Sequence, residues 1–167
     1  YHPMSPTRLD ATMRLVQSLG LDTAENVRVT VPEVPDDSVL ELVHTKKYVQ
    51  SVRAVSADPT RQIPESGLGT EDTPGYEGIH ESSARLVGGS YQGAMDLLSG
   101  KAVHAVNFSG GMHHAAADRA SGFCVYNDCA VAIQYLLDSG VNRVLYVDVD
   151  GHHGDGTQSI FYDDPRA

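Results

Sequence analysis

Residues 143–156 read Arg-Val-Leu-Tyr-Val-Asp-Val-Asp-Gly-His-His-Gly-Asp-Gly. Val144 to Val147 form a short β-branched and aromatic run with no helical period, which predicts a strand buried on both faces of a parallel sheet. Side chains alternate along a strand, so Asp148, Asp150 and His152 share one face just where the apolar run stops. Ionised groups leaving a buried strand are costly unless they are paired, hydrogen-bonded or bound to a metal. A cation would remove that cost, and the carboxyl ends of strands in an α/β sheet are where ligands bind. The plainer alternative is a solvated acidic loop capping the next helix, since Asp-Gly and Gly-Asp pairs are ordinary turn chemistry.

A second apolar run, Ala102 to Phe108, precedes this one and leads into Ser109-Gly110-Gly111-Met112-His113-His114. Between the two runs, Asn127 or Asp128 caps a helix carrying Val131, Ile133, Tyr135, Leu136 and Leu137, closed by Ser139-Gly140. The order strand, loop, helix, strand, loop predicts a βαβ unit with a parallel sheet and a right-handed crossover. It brings His113-His114 and His152-His153 to one sheet edge. Asp150 and His152 offer the oxygen and nitrogen donors that catalytic zinc accepts, but such zinc takes three protein ligands and keeps one position for water. His113 or His114 could be the third ligand, or either could act as general base on the metal-bound water. Spacing alone does not choose. Asp148 and Asp155 are the right kind of residue to orient those histidines, because carboxylates commonly accept the second ring N–H. For His113-His114 taken alone, a pair of exposed loop histidines is the simpler reading.

Toward the amino terminus, Ser5 is expected as the N-cap of a helix with Pro6 at its first position, followed by Leu9, Met13, Val16 and Leu19 and stopped by Gly20. Residues 27–31 alternate like a strand that Pro32 ends. Helical pattern returns after Pro35, in two pieces, with His44 between them as a packing or helix-end histidine. Residues 56–78 predict a long loop in which Gly67 to Asp72 could line a binding rim. The helix from Ile79 to Leu98 contains Gly88, Gly89 and Gly93, whose cost to the helix implies close packing on a neighbour.

With 167 residues, 41% of them hydrophobic, the chain has enough for one core and one domain. A formal net charge of −10 argues against nucleic acid or an anionic membrane surface as partner and suits neutral or cationic substrates. No apolar run reaches membrane-span length and the start, YHPMSPTR, lacks signal architecture, so a cytoplasmic location is expected. Cys124 and Cys129 are spaced for neither a redox pair nor a zinc knuckle and are expected as free thiols.

Three successive motifs resemble those of the zinc-dependent histone deacetylase family: Ser109 to Ala115, Gly122 to Asp128, and Asp148 to Gly156. The bacterial acetoin-utilisation branch is the nearest likeness, since Gly67-Leu68-Gly69-Thr70-Glu71-Asp72 is similar to its rim loop, and the resemblance begins at His2-Pro3-Met4. It implies an arginase/deacetylase-like three-layer α/β fold, a parallel sheet with helices on both faces. It also implies that Asp150 and His152 are zinc ligands, with the third ligand a later aspartate. His114 then matches the general base and acid, and His113 the electrostatic partner. Asp148 and Asp155 match the carboxylates that orient His113 and His114 respectively. Backbone oxygens of Asp148, Asp150 and His152, with the Asp148 side chain, match a monovalent cation (K+) site. Gly122 and Phe123 match the wall of the acetyl-lysine tube, Asp72 the rim aspartate, and Arg8 an arginine of the acetate channel.

The third zinc ligand, the facing aromatic wall and the carbonyl-polarising tyrosine of that family have no counterpart here, and its first strand is also missing. Residues 1–167 are therefore expected to be the amino-terminal portion of a single deacetylase-like catalytic domain, weak in zinc binding and turnover on its own, with an apolar sheet edge left uncovered. The expected activity is hydrolysis of acetyl-lysine in proteins. The rivals are an amidohydrolase of acetylated polyamines and a non-catalytic metal-binding or interaction fragment.

Overall fold

A computed structural model describes residues 5–167. His2-Pro3-Met4, where the family resemblance begins, lies outside the described residues. Among the described residues six α-helices follow in chain order: α1 (Thr7–Ser18), α2 (Asp37–Leu40), α3 (Lys46–Ala57), α4 (Ile79–Leu98), α5 (Asp128–Asp138) and α6 (Asp155–Phe161).

Helix α3 starts where the Thr45 hydroxyl accepts the Tyr48 N–H at 3.2 Å, and it buries Tyr48, Val49, Val52 and Val55 at helical spacing. Those side chains meet Leu40, Ile79, Val87 and Tyr126 in the main core, with α4 packed between α3 and α5. The glycines of α4 sit at close approaches, as their sequence implies. A Cβ on Gly88 would run into the Glu33 carbonyl, and one on Gly89 into the Asn107 side chain. Asn127, rather than Asp128, caps α5, its side chain accepting the Ala130 N–H at 2.9 Å. A smaller core of Ala130, Ile133, Leu137 and Phe161 joins α5 to α6. His44 is buried against the rings of Tyr48 and Tyr126, the packing role expected of it.

Two boundaries shift. The N-cap of α1 is Pro6, one residue later than expected, although the Ser5 hydroxyl still accepts the Thr7 N–H at 3.3 Å. The long loop starts at residue 58, because α3 runs to Ala57, and it is pinned by a bridge between Ile63 and Leu68.

The larger correction concerns the sheet. Residues 27–31, 102–108 and 144–149, each expected as a strand, form no ladder among the described residues, where β-pairing is limited to the bridges Ile63–Leu68 and Ser121–Cys124. A strand is defined by a hydrogen-bonded neighbour, and these three segments do not pair with one another. The alternation survives without the ladder: Val144 and Tyr146 pack on the smaller core, whereas Leu145 is 87% and Val149 91% exposed. Burial on both faces is thus not seen. Residues 103 and 106, both valines, are likewise exposed. No helix of the described residues is long and apolar enough to cross a membrane.

Candidate active site

The loop before His113 and the segment before α6 meet at one end of α5. His113 Nδ1 lies 2.6 Å from Asp148 Oδ2, and His114 Nδ1 lies 2.7 Å from Asp155 Oδ1. A carboxylate facing Nδ1 fixes the ring proton there and leaves Nε2 as the basic nitrogen. The two imidazoles are adjacent, with centroids 4.2 Å apart, and His152 stands 6.0 Å from His114. Backbone bonds lock this arrangement: the Thr157 N–H at the start of α6 donates to the His113 carbonyl at 3.0 Å.

Asp148 gathers three donors. Its Oδ2 accepts both the His113 ring N–H and the Tyr146 hydroxyl, the latter at 2.7 Å, and its Oδ1 accepts the Asp150 N–H at 3.0 Å. The His113 ring, then the Tyr146 hydroxyl, hold this carboxyl down to about 2. Burial opposes ionisation of Asp155, but the His114 ring together with the backbone N–H groups of Gly156 and Asp155 outweighs it, and the net shift is downward. Asp150 is also lowered, by the His152 backbone N–H and then the His152 ring.

Asp150 Oδ1 and His152 Nδ1 converge to 2.9 Å and are both exposed. Two donors of a tetrahedral zinc, each about 2.0–2.1 Å from the ion, stand roughly 3.3 Å apart, so a small opening of this pair would admit the metal. Among the described residues no group of three His, Cys, Asp or Glu side chains is placed to hold an ion. Asp150 and His152 therefore fit as two donors, and no third donor stands beside them among the described residues.

The hairpin Ser121–Cys124 closes one side. Ser121 and Cys124 exchange backbone bonds of 3.1 and 2.8 Å around Gly122 (φ 53°) and Phe123 (φ 66°), a two-residue turn with both central residues left-handed. For a bulky aromatic this conformation is an outlier, of the kind that accompanies function. Glycine is required at 122 for a further reason, since a Cβ there would collide with the His114 ring. Asp72 Oδ2 accepts the Gly122 N–H at 2.8 Å, so the rim loop and the hairpin are joined.

A cavity of about 1370 Å³ opens between these parts. Its wall includes Arg8, Asp72, His113, His114, Gly122, Phe123, Asp148, Asp150 and His152, so of the site residues expected from sequence only Asp155 lies outside it, behind His114. Sequence reasoning missed three contributors. Tyr146 lies two residues before Asp148 on the same side of the segment, and strand alternation could have found it. Asn127 and Asp128 looked like capping residues, yet both are buried and both reach the histidine loop.

The histone deacetylase domain family matches residues 2–167. The chain is similar to the acetoin utilization protein AcuC of Bacillus subtilis (strain 168), 44% identical over 166 residues, which covers 98% of this chain and 42% of that protein. It is similar also to AcuC of Staphylococcus xylosus, 38% identical over 168 residues, covering 99% and 43%. The chain thus spans less than half the length of these curated relatives. Among solved structures it resembles an HDAC homolog from Aquifex aeolicus (TM-score 0.81, 29% identity, 99% of this chain and 45% of that one). It resembles as well an HDAC homolog complexed with SAHA (TM-score 0.79, 30% identity, 98% and 44%). These likenesses agree with the expected arginase/deacetylase fold, although its sheet is not seen among the described residues.

Proposed function

Since the chain belongs to the histone deacetylase domain family, in its acetoin-utilisation branch, we propose that it forms part of a zinc-dependent hydrolase that removes acetyl groups from acetyl-lysine side chains of proteins. The observation that carries this reading is the pair of carboxylate-held histidines, His113–Asp148 and His114–Asp155, beside the converging donors Asp150 and His152.

Asp150 and His152 would hold the zinc, with a third donor from elsewhere in the longer protein. Bound zinc supplies Lewis acidity and makes a water acidic near neutral pH. His114, with its Nδ1 proton held by Asp155, would take a proton at Nε2 and return it to the leaving amine. His113, kept against Asp148, would act electrostatically. The Gly122-Phe123 hairpin would line the acetyl-lysine tube, while Asp72 keeps a second oxygen for the substrate backbone beyond the one that holds Gly122. Arg8 would face released acetate, and K+ would sit on the backbone oxygens of Asp148, Asp150 and His152. Residues 1–167 would then be part of one catalytic domain, cytoplasmic and acting on neither nucleic acid nor membrane.

The net charge of −10 favours one second reading, an acetylated polyamine as substrate. Hydrolysis by the zinc-loaded full-length protein should be compared on an acetyl-lysine peptide and on an acetylated polyamine. Faster turnover of the peptide supports the proposal, preference for the polyamine supports the second reading, and hydrolysis of neither contradicts both.

A further inference from the structure

Asn127 and Asp128, at the start of α5, are 0% and 1% exposed, yet no part of the chemistry above uses them. A buried carboxylate is costly unless its lone pairs are filled, and the partners that fill these are specific. Asp128 Oδ1 accepts the N–H groups of Gly111 at 2.9 Å and Met112 at 2.8 Å, the two residues just before His113. Its Oδ2 accepts the Ser90 hydroxyl from α4, which in turn accepts the Asn107 amide at 2.9 Å. The loop fits closely, for a Cβ on Gly110 would run into the Asp128 carboxylate. Asn127 works from the other side. Its Nδ2 donates to the Ala115 carbonyl at 2.9 Å and lies 3.4 Å from that of His113, and it reaches Thr157 Oγ1 of α6 at 3.0 Å.

We propose that Asn127 and Asp128 are positioning residues that bracket the tandem histidines, Asp128 holding the backbone before them and Asn127 the backbone after them, so that α5 sets the aim of both imidazoles. Two successive side chains satisfy backbone groups on both sides of a dipeptide that has no regular structure of its own. The catalytic consequence rests on the deacetylase reading; the clamp itself does not.

Hydrogen exchange and steady-state kinetics on the zinc-loaded full-length protein test it. In Asp128→Ala, exchange at residues 109–113 should quicken at least about tenfold while α4 and the body of α5 keep their protection. On an acetyl-lysine peptide, kcat should fall about 10- to 100-fold with KM within roughly twofold, because the groups are present but misaimed. Asp128→Asn, whose amide oxygen can still accept both N–H groups, should restore most of the protection and turnover. Should Asp128→Ala fail to fold, Asn127→Ser keeps the α5 cap but cannot reach the Ala115 carbonyl, and should quicken exchange at residues 113–116. Unchanged loop exchange in every variant that folds, or quickening spread evenly over α4 and α5, overturns the proposal. A wild-type protein inactive on acetyl-lysine overturns the deacetylase reading instead, and the exchange results still decide whether the clamp exists.

Discussion

His113 and Asp148 share a 2.6 Å contact between Nδ1 and Oδ2, and the same oxygen receives the Tyr146 hydroxyl at 2.7 Å. The orientation of His113 therefore depends on a carboxylate that is itself held by a phenol. Tyr146→Phe should lower turnover of the full-length enzyme about tenfold and leave its zinc content unchanged, as for other partners one step removed from a metal site. Turnover within twofold of wild type would show that Asp148 needs no such support.

Phe123 has φ 66°, a conformation costing about 1–2 kcal/mol for a bulky residue. If the strain is maintained for substrate binding, Phe123→Gly should leave stability unchanged or raise it by up to about 1 kcal/mol while KM for an acetyl-lysine peptide increases. Chemical denaturation and kinetics read the two effects separately. A variant less stable than wild type with unaltered KM would mean that the ring serves packing alone.

His44 gives stability a dependence on pH. Burial, opposed by the carbonyls of Ala117 and Ala116, pushes its ring down to about 4, and its Nε2 accepts the Asn127 N–H at 3.0 Å. The unfolded chain, with an ordinary pKa near 6.5, binds the proton more readily, so this contribution is complete above pH ~6.5 and is lost as pH falls toward 4. The full effect is about 3 kcal/mol. The urea stability of wild type should fall toward that of His44→Gln across this window. Two pH curves that stay parallel from pH 7 to 4 would rule out titration of His44.

How much of this was legible in the sequence depended on how local the cause was. Asp148, Asp150 and His152 could be grouped from strand alternation, and they do line one cavity. Whether His113 and His114 face a metal or carboxylates could not be read from spacing, because the deciding contacts span 35 and 41 residues; the family resemblance alone paired them with Asp148 and Asp155. The strands misled for a related reason. Val144 to Val147 has the composition of a doubly buried strand, but a ladder needs neighbours, and the described residues supply a packed surface on one side of it alone. Asp128 shows the converse limit: a polar residue opening an apolar helix looks like a cap, and nothing in its flanking sequence reveals that it is buried against Gly111 and Met112.

The division of labour between metal-holding and proton-moving residues is tested most directly by measuring zinc per protein and turnover together in full-length His114→Ala and Asp150→Ala. His114→Ala should retain one equivalent of zinc and lose roughly 10²- to 10⁴-fold in turnover, the usual worth of positioned proton transfer. Asp150→Ala should lose the zinc. Loss of zinc from His114→Ala, or one equivalent retained by Asp150→Ala, would contradict the assignment.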